Sequence, residues 1–414
     1  MALRVAGAER VQLNVEAGTA LVRYAFCALL AWHFLRNALS VPAALEGIGL
    51  YDLRSLDLIS SPANLWLGRG YQLGMLRLLF VCAAVACALA TRLPGARFAS
   101  LAVCWLSTSI YWALFPIADL DDLWANWLSL WLCLLPVVYT VRDGDRQVIK
   151  LFLASVFIAH LSVGYWKLLS KGWPPYPWID GVFIASCGVL IAPWSFARRL
   201  AAIVLALLHC YLALRTRMVL IHGSLCVSLL LYFCVPRHDS HQSVNQFSAR
   251  AAAGLCYIML ICLFAVSYVV GIERVEWACS RMLAIAGQVP LVGPKFAADI
   301  EGDLTVNQLG SRHSVPLFSG QGANDRTHSL VPYFVEAPSP GVWASLHASV
   351  RDYAARRACS RMGDNTQAVV SLNLTRHHHT IALARIECEG DTAYASWYDR
   401  DEEIPLRGAE GGGI

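Results

Sequence analysis

Four residues of one apolar run, His160, Gly164, Lys167 and Lys171, recur at i, i+4, i+7 and i+11. At about 100° per residue they fall on a single stripe of a helix. A stripe of imidazole, glycine and amine is ill suited to lipid, where polar side chains are costly and are by default candidates for function. Gly164 leaves room for another backbone or a ligand to approach, and a lysine withdrawn from water can act as a base near neutral pH. The same pattern also fits a plainer reading in which Lys167 snorkels from a helix end toward the interface. Further polar residues interrupt apolar runs at Arg23, His33, Arg36, Arg77, Asn126, His209 and His222. For Arg36, Arg77 and His222 snorkelling is again open as the plainer reading.

These residues need helices to hold them. The chain of 414 residues is 57% hydrophobic and 15% charged, against a charged fraction of about 25% in soluble domains. A spanning helix takes roughly 20 apolar residues, about 17 at the shortest. Nine runs meet or approach that length: 18–38, 71–91, 98–117, 123–140, 147–170, 179–195, 199–215, 217–236 and 250–271. The sixth is short and is interrupted near Pro193, so it either spans or is re-entrant. The first run continues into Arg36-Asn37-Ala38 without a small-x-small cleavage pattern, so no cleavable signal peptide is evident.

Lys and Arg concentrate in cytoplasmic loops. With the N-terminus inside and nine crossings, the inner segments hold Arg4, Arg10, Arg92, Arg97, Arg142, Arg146, Lys150, Arg198, Arg199, Arg237 and Arg250. The outer loops hold only Arg54, Arg69, Lys171, Arg215 and Arg217. In this orientation the acidic turn Asp119, Asp121, Asp122 faces outward, and the polar helix residues other than Arg23 gather toward the outer side. The expected organisation is a cytoplasmic segment 1–17, a transmembrane domain 18–271, an extracytoplasmic α+β domain 272–405 and a disordered tail 406–414. Within it, 39–70 is expected to be a long outer loop, of a length that is often functional. In the C-terminal domain, 342–362 has a helical pattern, and 367–375 and 380–388 alternate as strands.

The run Val163-Gly164-Tyr165-Trp166-Lys167-Leu168, followed by Trp178-Ile179-Asp180-Gly181, resembles the signature of the horizontally transferred transmembrane (HTTM) domain. That membrane fold is shared with the vitamin K-dependent γ-glutamyl carboxylases. Asn126-Trp127-Leu128 with Leu134-Leu135-Pro136, and His209-Cys210 ahead of the helix at 218–236, resemble two further pieces of the family in matching order. The resemblance covers about residues 18–270. It implies Lys167 as the base that deprotonates a reduced quinone, with His160, His209 and Asn126 as polar support and Gly164, Trp178 and Asp180 near the substrate. Two departures stand out. The histidine expected after Asn126 is Trp127, and 170–177 lengthens the gap between Lys167 and Trp178. The short C-terminal domain is closer to bacterial members, among them a protein of the sporulation-delaying peptide system whose relatives are associated with maturation of a secreted peptide.

Three classes of function are weighed. One is a membrane-embedded, carboxylase-like enzyme acting at the outer leaflet on a peptide or with a lipid-soluble quinone. A second is a non-catalytic protein for maturation, export or immunity of a secreted peptide. A secondary transporter fits less well, since no paired halves with matching broken helices occur. A net charge of +4 without an aromatic-interleaved basic run points away from nucleic acid. The Ala/Arg-rich composition suggests a bacterial cytoplasmic membrane, with the lipid bilayer and a secreted peptide or protein as partners.

All of the fourteen cysteines except Cys279, Cys359 and Cys388 fall in the candidate helices, without a C-x-x-C pair, and give no metal site. The three in the tail allow at most one disulfide, in an oxidising compartment. His377-His378-His379 would alternate faces on a strand and cannot all reach one metal. The sequon Asn373-Leu374-Thr375 lies in a strand pattern and is taken as chance.

Overall fold

The apolar runs fold as helices whose directions are fixed by buried polar contacts at their ends, as a computed structural model shows. It describes residues 2–48, 73–91, 95–114, 120–137, 143–169, 177–190, 194–216, 218–234 and 248–270, then single positions between 272 and 282. Beyond these it describes 303–309, 314–318, 330–331, 334, 342–362, 368–376, 379–389 and 392–398. The helices are α1 (Ala2–Ile48), α2 (Leu73–Leu89), α3 (Ala96–Leu114), α4 (Leu120–Leu134) and α5 (Asp143–Leu169). They continue with α6 (Pro177–Val189), α7 (Ser195–Thr216), α8 (Val219–Leu229), α9 (Leu231–Cys234) and α10 (Ala249–Val270).

Arg23, buried in α1, gathers three other helices at one end of the bundle. Its guanidinium donates to the carbonyls of Leu132 at 2.7 Å, Leu135 at 3.4 Å and Ala90 at 3.2 Å, and to the Ser100 hydroxyl at 2.5 Å. Ala90 follows α2, Leu132 and Leu135 end α4, and Ser100 begins α3, so successive helices run in alternating directions. The cation meets the carbonyl ends of α2 and α4, where the helix dipole favours positive charge. At the starts of α5 and α10, Arg250 pairs with Asp145.

Among the described residues, three helices are long and apolar enough to cross a membrane, over Val15–Val41, Ser195–Leu214 and Ala249–Ser267, and Leu76–Leu89 and Val219–Phe233 form shorter apolar helices. Many large exposed side chains on these and neighbouring helices are apolar, among them Leu39, Phe98, Leu207 and Met259, as suits a surface that meets lipid rather than water. Inside, Trp127, Trp131, Phe152 and Tyr257 pack with ring centroids 5.3 to 6.3 Å apart.

The structure differs from expectation at 39–70, because α1 continues through Ile48 rather than ending near Arg36. The run Ala38 to Ile48 has Pro42 as its only strong breaker, and the helix passes through it; the rest of the expected loop, with Pro193 and His377-His378, lies outside the described residues. In the acidic turn, Asp121 and Asp122 are both buried, at 4% and 6% exposure.

The chain divides into two units, one of Met1–Ala38, Ser61–Leu114 and Asp119–Ala297, the other of Leu39–Ser60, Phe115–Ala118 and Ala298–Ile414. The second contains a five-stranded antiparallel sheet in the order β2-β1-β3-β4-β5. Its strands are β1 (Asp303–Gln308), β2 (Ser314–Pro316), β3 (Ala368–Arg376), β4 (His379–Glu389) and β5 (Thr392–Trp397), and helix α11 (Val342–Arg361) packs on β3, β4 and β5. Val370, Leu372, Ala384, Ile386 and Cys388 are buried while Val369, Ser371, Arg385 and Glu387 between them are more exposed, as a half-buried sheet requires, and the alternation breaks where the register shifts after Leu372. A disulfide between Cys359 and Cys388, with Cα atoms 5.6 Å apart, staples α11 to β4. Asn373 is 1% exposed, so its sequon is closed to a glycan in the folded domain.

Candidate functional site

Three imidazoles from three helices form one hydrogen-bonded chain. His160 of α5 and His209 of α7 face each other through their Nε2 atoms at 2.9 Å, and His209 Nδ1 lies 3.1 Å from His222 Nδ1 of α8. His160 Nδ1 lies 2.7 Å from the Val156 carbonyl one turn earlier. His160 and His209 are buried at 0% and 2% exposure. Phe183 of α6 stacks on the His160 ring and meets His209 edge-on, walling the pair with apolar surface.

The contact with Val156 fixes the protons of a neutral chain. A carbonyl only accepts, so His160 Nδ1 carries hydrogen and its Nε2 offers a lone pair. His209 Nε2 must then donate and its Nδ1 accept, so His222 Nδ1 donates in turn. Each ring donates in the same direction, from His222 through His209 to His160. A proton that enters at His222 can pass along the chain by successive N–H shifts. It would leave the charge on His160, whose Nδ1–H already points at a carbonyl dipole. The set is therefore a proton acceptor whose charge is shared over three rings. It does not suit a common metal centre, because His209 uses opposite edges of its ring for its two neighbours. Among the described residues, no group of three or more His, Cys, Asp or Glu side chains is arranged to hold a metal ion.

Helix α8 is placed by its start. The Asp121 carboxylate accepts from the backbone N–H groups of Ile221 at 3.1 Å and Leu220 at 3.4 Å, directly before His222. One turn along α4, Trp124 Nε1 donates to Ser224 at 2.6 Å. Gly223 lets α8 approach α1, since a Cβ there would stand 3.3 Å from Leu29. Asp121 satisfies N–H groups that a helix start leaves without intrahelical partners, and in doing so sets the height of the His222 ring.

The structure thus joins His160 and His209 directly and adds His222, which the sequence pattern leaves open to snorkelling. Asn126 is buried and accepts from the Thr108 hydroxyl at 2.8 Å. Trp127, standing where the family pattern has histidine, stacks beside Trp124 with centroids 4.4 Å apart. The backbones of Gly164, Lys167, Trp178 and Asp180 lie in α5 and α6, and their side chains lie outside the described residues. Arg77 is exposed, and Arg36 is exposed over the Trp32 ring, as the snorkelling reading expects.

The sequence pattern also misses a second polar cluster, in which His33 and Asn37 of α1 meet Asp122 of α4. The i, i+4 spacing of His33 and Asn37 is the signal in the sequence, but their partner lies far along the chain. No protein-family model matches the chain, and neither a curated protein nor a solved structure matches it.

Proposed function

We propose that the protein is a membrane-embedded enzyme of the carboxylase-like, HTTM type. It would transfer protons between its own base and a lipid-soluble quinone or a secreted peptide at the outer leaflet. The observation that carries this reading is the chain His160–His209–His222, buried at its first two rings and half-buried at His222, a proton acceptor in surroundings where an isolated charge would be costly. Lys167 follows His160 by seven residues on the same helix, about two turns. In this mechanism Lys167 takes the substrate's proton and the imidazole chain disperses it, resetting the amine. The ordered motifs around Lys167, Asn126 and His209 favour this family, and the reading rests on them and on the histidine chain, with no matching relative to lean on.

The accompanying topology has nine crossings, the N-terminus inside and the C-terminal domain outside. The alternating directions of α1 to α4 around Arg23 and the Cys359–Cys388 disulfide support it, since disulfides persist in oxidising compartments.

The test uses the full chain in proteoliposomes supplied with a reduced quinone, dioxygen as its oxidant, bicarbonate and a glutamate-containing peptide. Lys167→Ala should abolish quinol consumption by more than about a hundredfold, the scale of a lost general base, while insertion and thermal stability are kept. Full turnover in both Lys167→Ala and Lys167→Arg would overturn the assignment of the base. Processing of a secreted peptide without any quinol turnover would instead favour a maturation or immunity protein.

A further inference from the structure

The cluster of His33, Asn37 and Asp122 has a geometry that direct hydrogen bonding serves poorly. His33 Nε2 lies 3.1 Å from Asp122 Oδ1, the Asn37 amide lies 2.9 Å from the same oxygen, and the amide and His33 Nε2 are 3.0 Å apart. The three atoms make a nearly equilateral triangle. All three residues are buried, at 2%, 3% and 6% exposure for His33, Asn37 and Asp122.

An imidazole nitrogen offers one in-plane position, either a hydrogen or a lone pair. With Asp122 ionised, its Oδ1 accepts from both the His33 Nε2–H and the Asn37 amide, and the two nitrogens are left 3.0 Å apart with no hydrogen bond between them. These two neighbours subtend about 60° at the amide nitrogen, as the three edges require, whereas its N–H bonds diverge by about 120° as in any planar NH2 group, so the amide donates to only one of the two.

A cation resolves the conflict. A half-turn of the Asn37 carboxamide presents its oxygen in place of its nitrogen, and the three atoms then offer one imidazole lone pair and two oxygen lone pairs on a common face. One face of an octahedron with metal–ligand bonds of about 2.1 Å has edges of about 3.0 Å, and the observed edges are 2.9, 3.0 and 3.1 Å. A donor set of one imidazole, one carboxylate and one amide oxygen suits a divalent first-row transition ion. It contains only two side chains of the usual ligand types, with a carboxamide as the third.

We infer that His33 Nε2, Asn37 Oδ1 and Asp122 Oδ1 form a facial binding site for a divalent transition-metal ion, buried between α1 and α4. The site is separate from the histidine chain. Adjacent residues of α4 serve the two, Asp122 as a ligand here and Asp121 as the anchor of α8.

The test titrates the full chain, purified in detergent and stripped with chelator, with Mn2+ as the probe. Bound manganese is followed by electron paramagnetic resonance and by the shift in thermal unfolding. Wild type should take up one Mn2+ per chain with hyperfine coupling to an imidazole nitrogen. His33→Ala and Asp122→Ala should each weaken uptake at least about tenfold, as lost supporting or direct ligands do. His209→Ala should leave uptake unchanged, which separates this inference from the proposed function.

Asn37→Asp keeps an oxygen at either end of the side chain and guards against variants that merely misfold. On the metal reading it is destabilised when stripped, because two carboxylates then face each other, and is restored by Mn2+ with affinity at or above wild type. If Asn37→Asp is equally destabilised with and without Mn2+, or if Mn2+ uptake is unaffected in His33→Ala and Asp122→Ala, the site does not exist.

Discussion

A helix that begins inside a bundle leaves its first N–H groups without intrahelical partners, and at α8 Asp121 meets two of them, at Leu220 and Ile221. The next residue is His222, so one carboxylate both caps the helix and sets the reach of the imidazole chain. Asp121→Ala should cost about 1–2 kcal/mol, the scale of a lost N-cap, read as a lower thermal midpoint, and should detach His222 from His209. Asp121→Asn keeps one acceptor oxygen and should fall between. The types of the key residues were legible in the sequence, because His160, Asn126 and His209 stand out against apolar neighbours. Their pairings were not. His160 meets His209, Asp121 meets α8 and Asp122 meets α1 across large sequence separations, and no local periodicity encodes which polar residues converge.

Among the elements, the long apolar runs announced the helices of the bundle, a helical pattern announced α11, and the alternating pattern announced β3 and β4. Strands β1, β2 and β5 escaped notice, since β2 has three residues and β5 alternates small and polar residues without a strong apolar face. The extension of α1 to Ile48 escaped as well, because Pro and Gly punctuation in 39–70 suggested a loop throughout. Two tests belong to this scale. Arg23→Met removes the donor shared by α2, α3 and α4 and leaves buried carbonyls unmet, which should cost about 3 kcal/mol or more, at about 1–3 kcal/mol per unmet group. Its signature is a lower unfolding midpoint with normal insertion. Cys359→Ser should destabilise the α11–β4 pairing by about 3–4 kcal/mol, from the closure entropy of a loop with sequence separation 29. Faster cleavage by added protease in the C-terminal domain of the full chain would register it.

For the whole molecule, the two ends of the helical bundle differ in chemistry. One carries the guanidinium of Arg23 among helix C-termini together with the Arg250–Asp145 pair. The other gathers histidines and carboxylates, buried except for the half-buried His222, from α1, α4, α5, α7 and α8. On the proposed function, this polarity of arginine at one end and imidazole at the other would suit chemistry near a single membrane face.

The central claim is that the buried His160 and His209 and the half-buried His222 act as one directional proton-accepting chain. Nitrogen-15 magnetic resonance of histidine-labelled protein in lipid, assigned through single His→Gln variants, tests it most directly. The account predicts hydrogen on Nδ1 of His160, Nε2 of His209 and Nδ1 of His222, with coupling across both inter-ring bonds. Hydrogen on Nε2 of all three rings, or rings that titrate independently of one another, would contradict it.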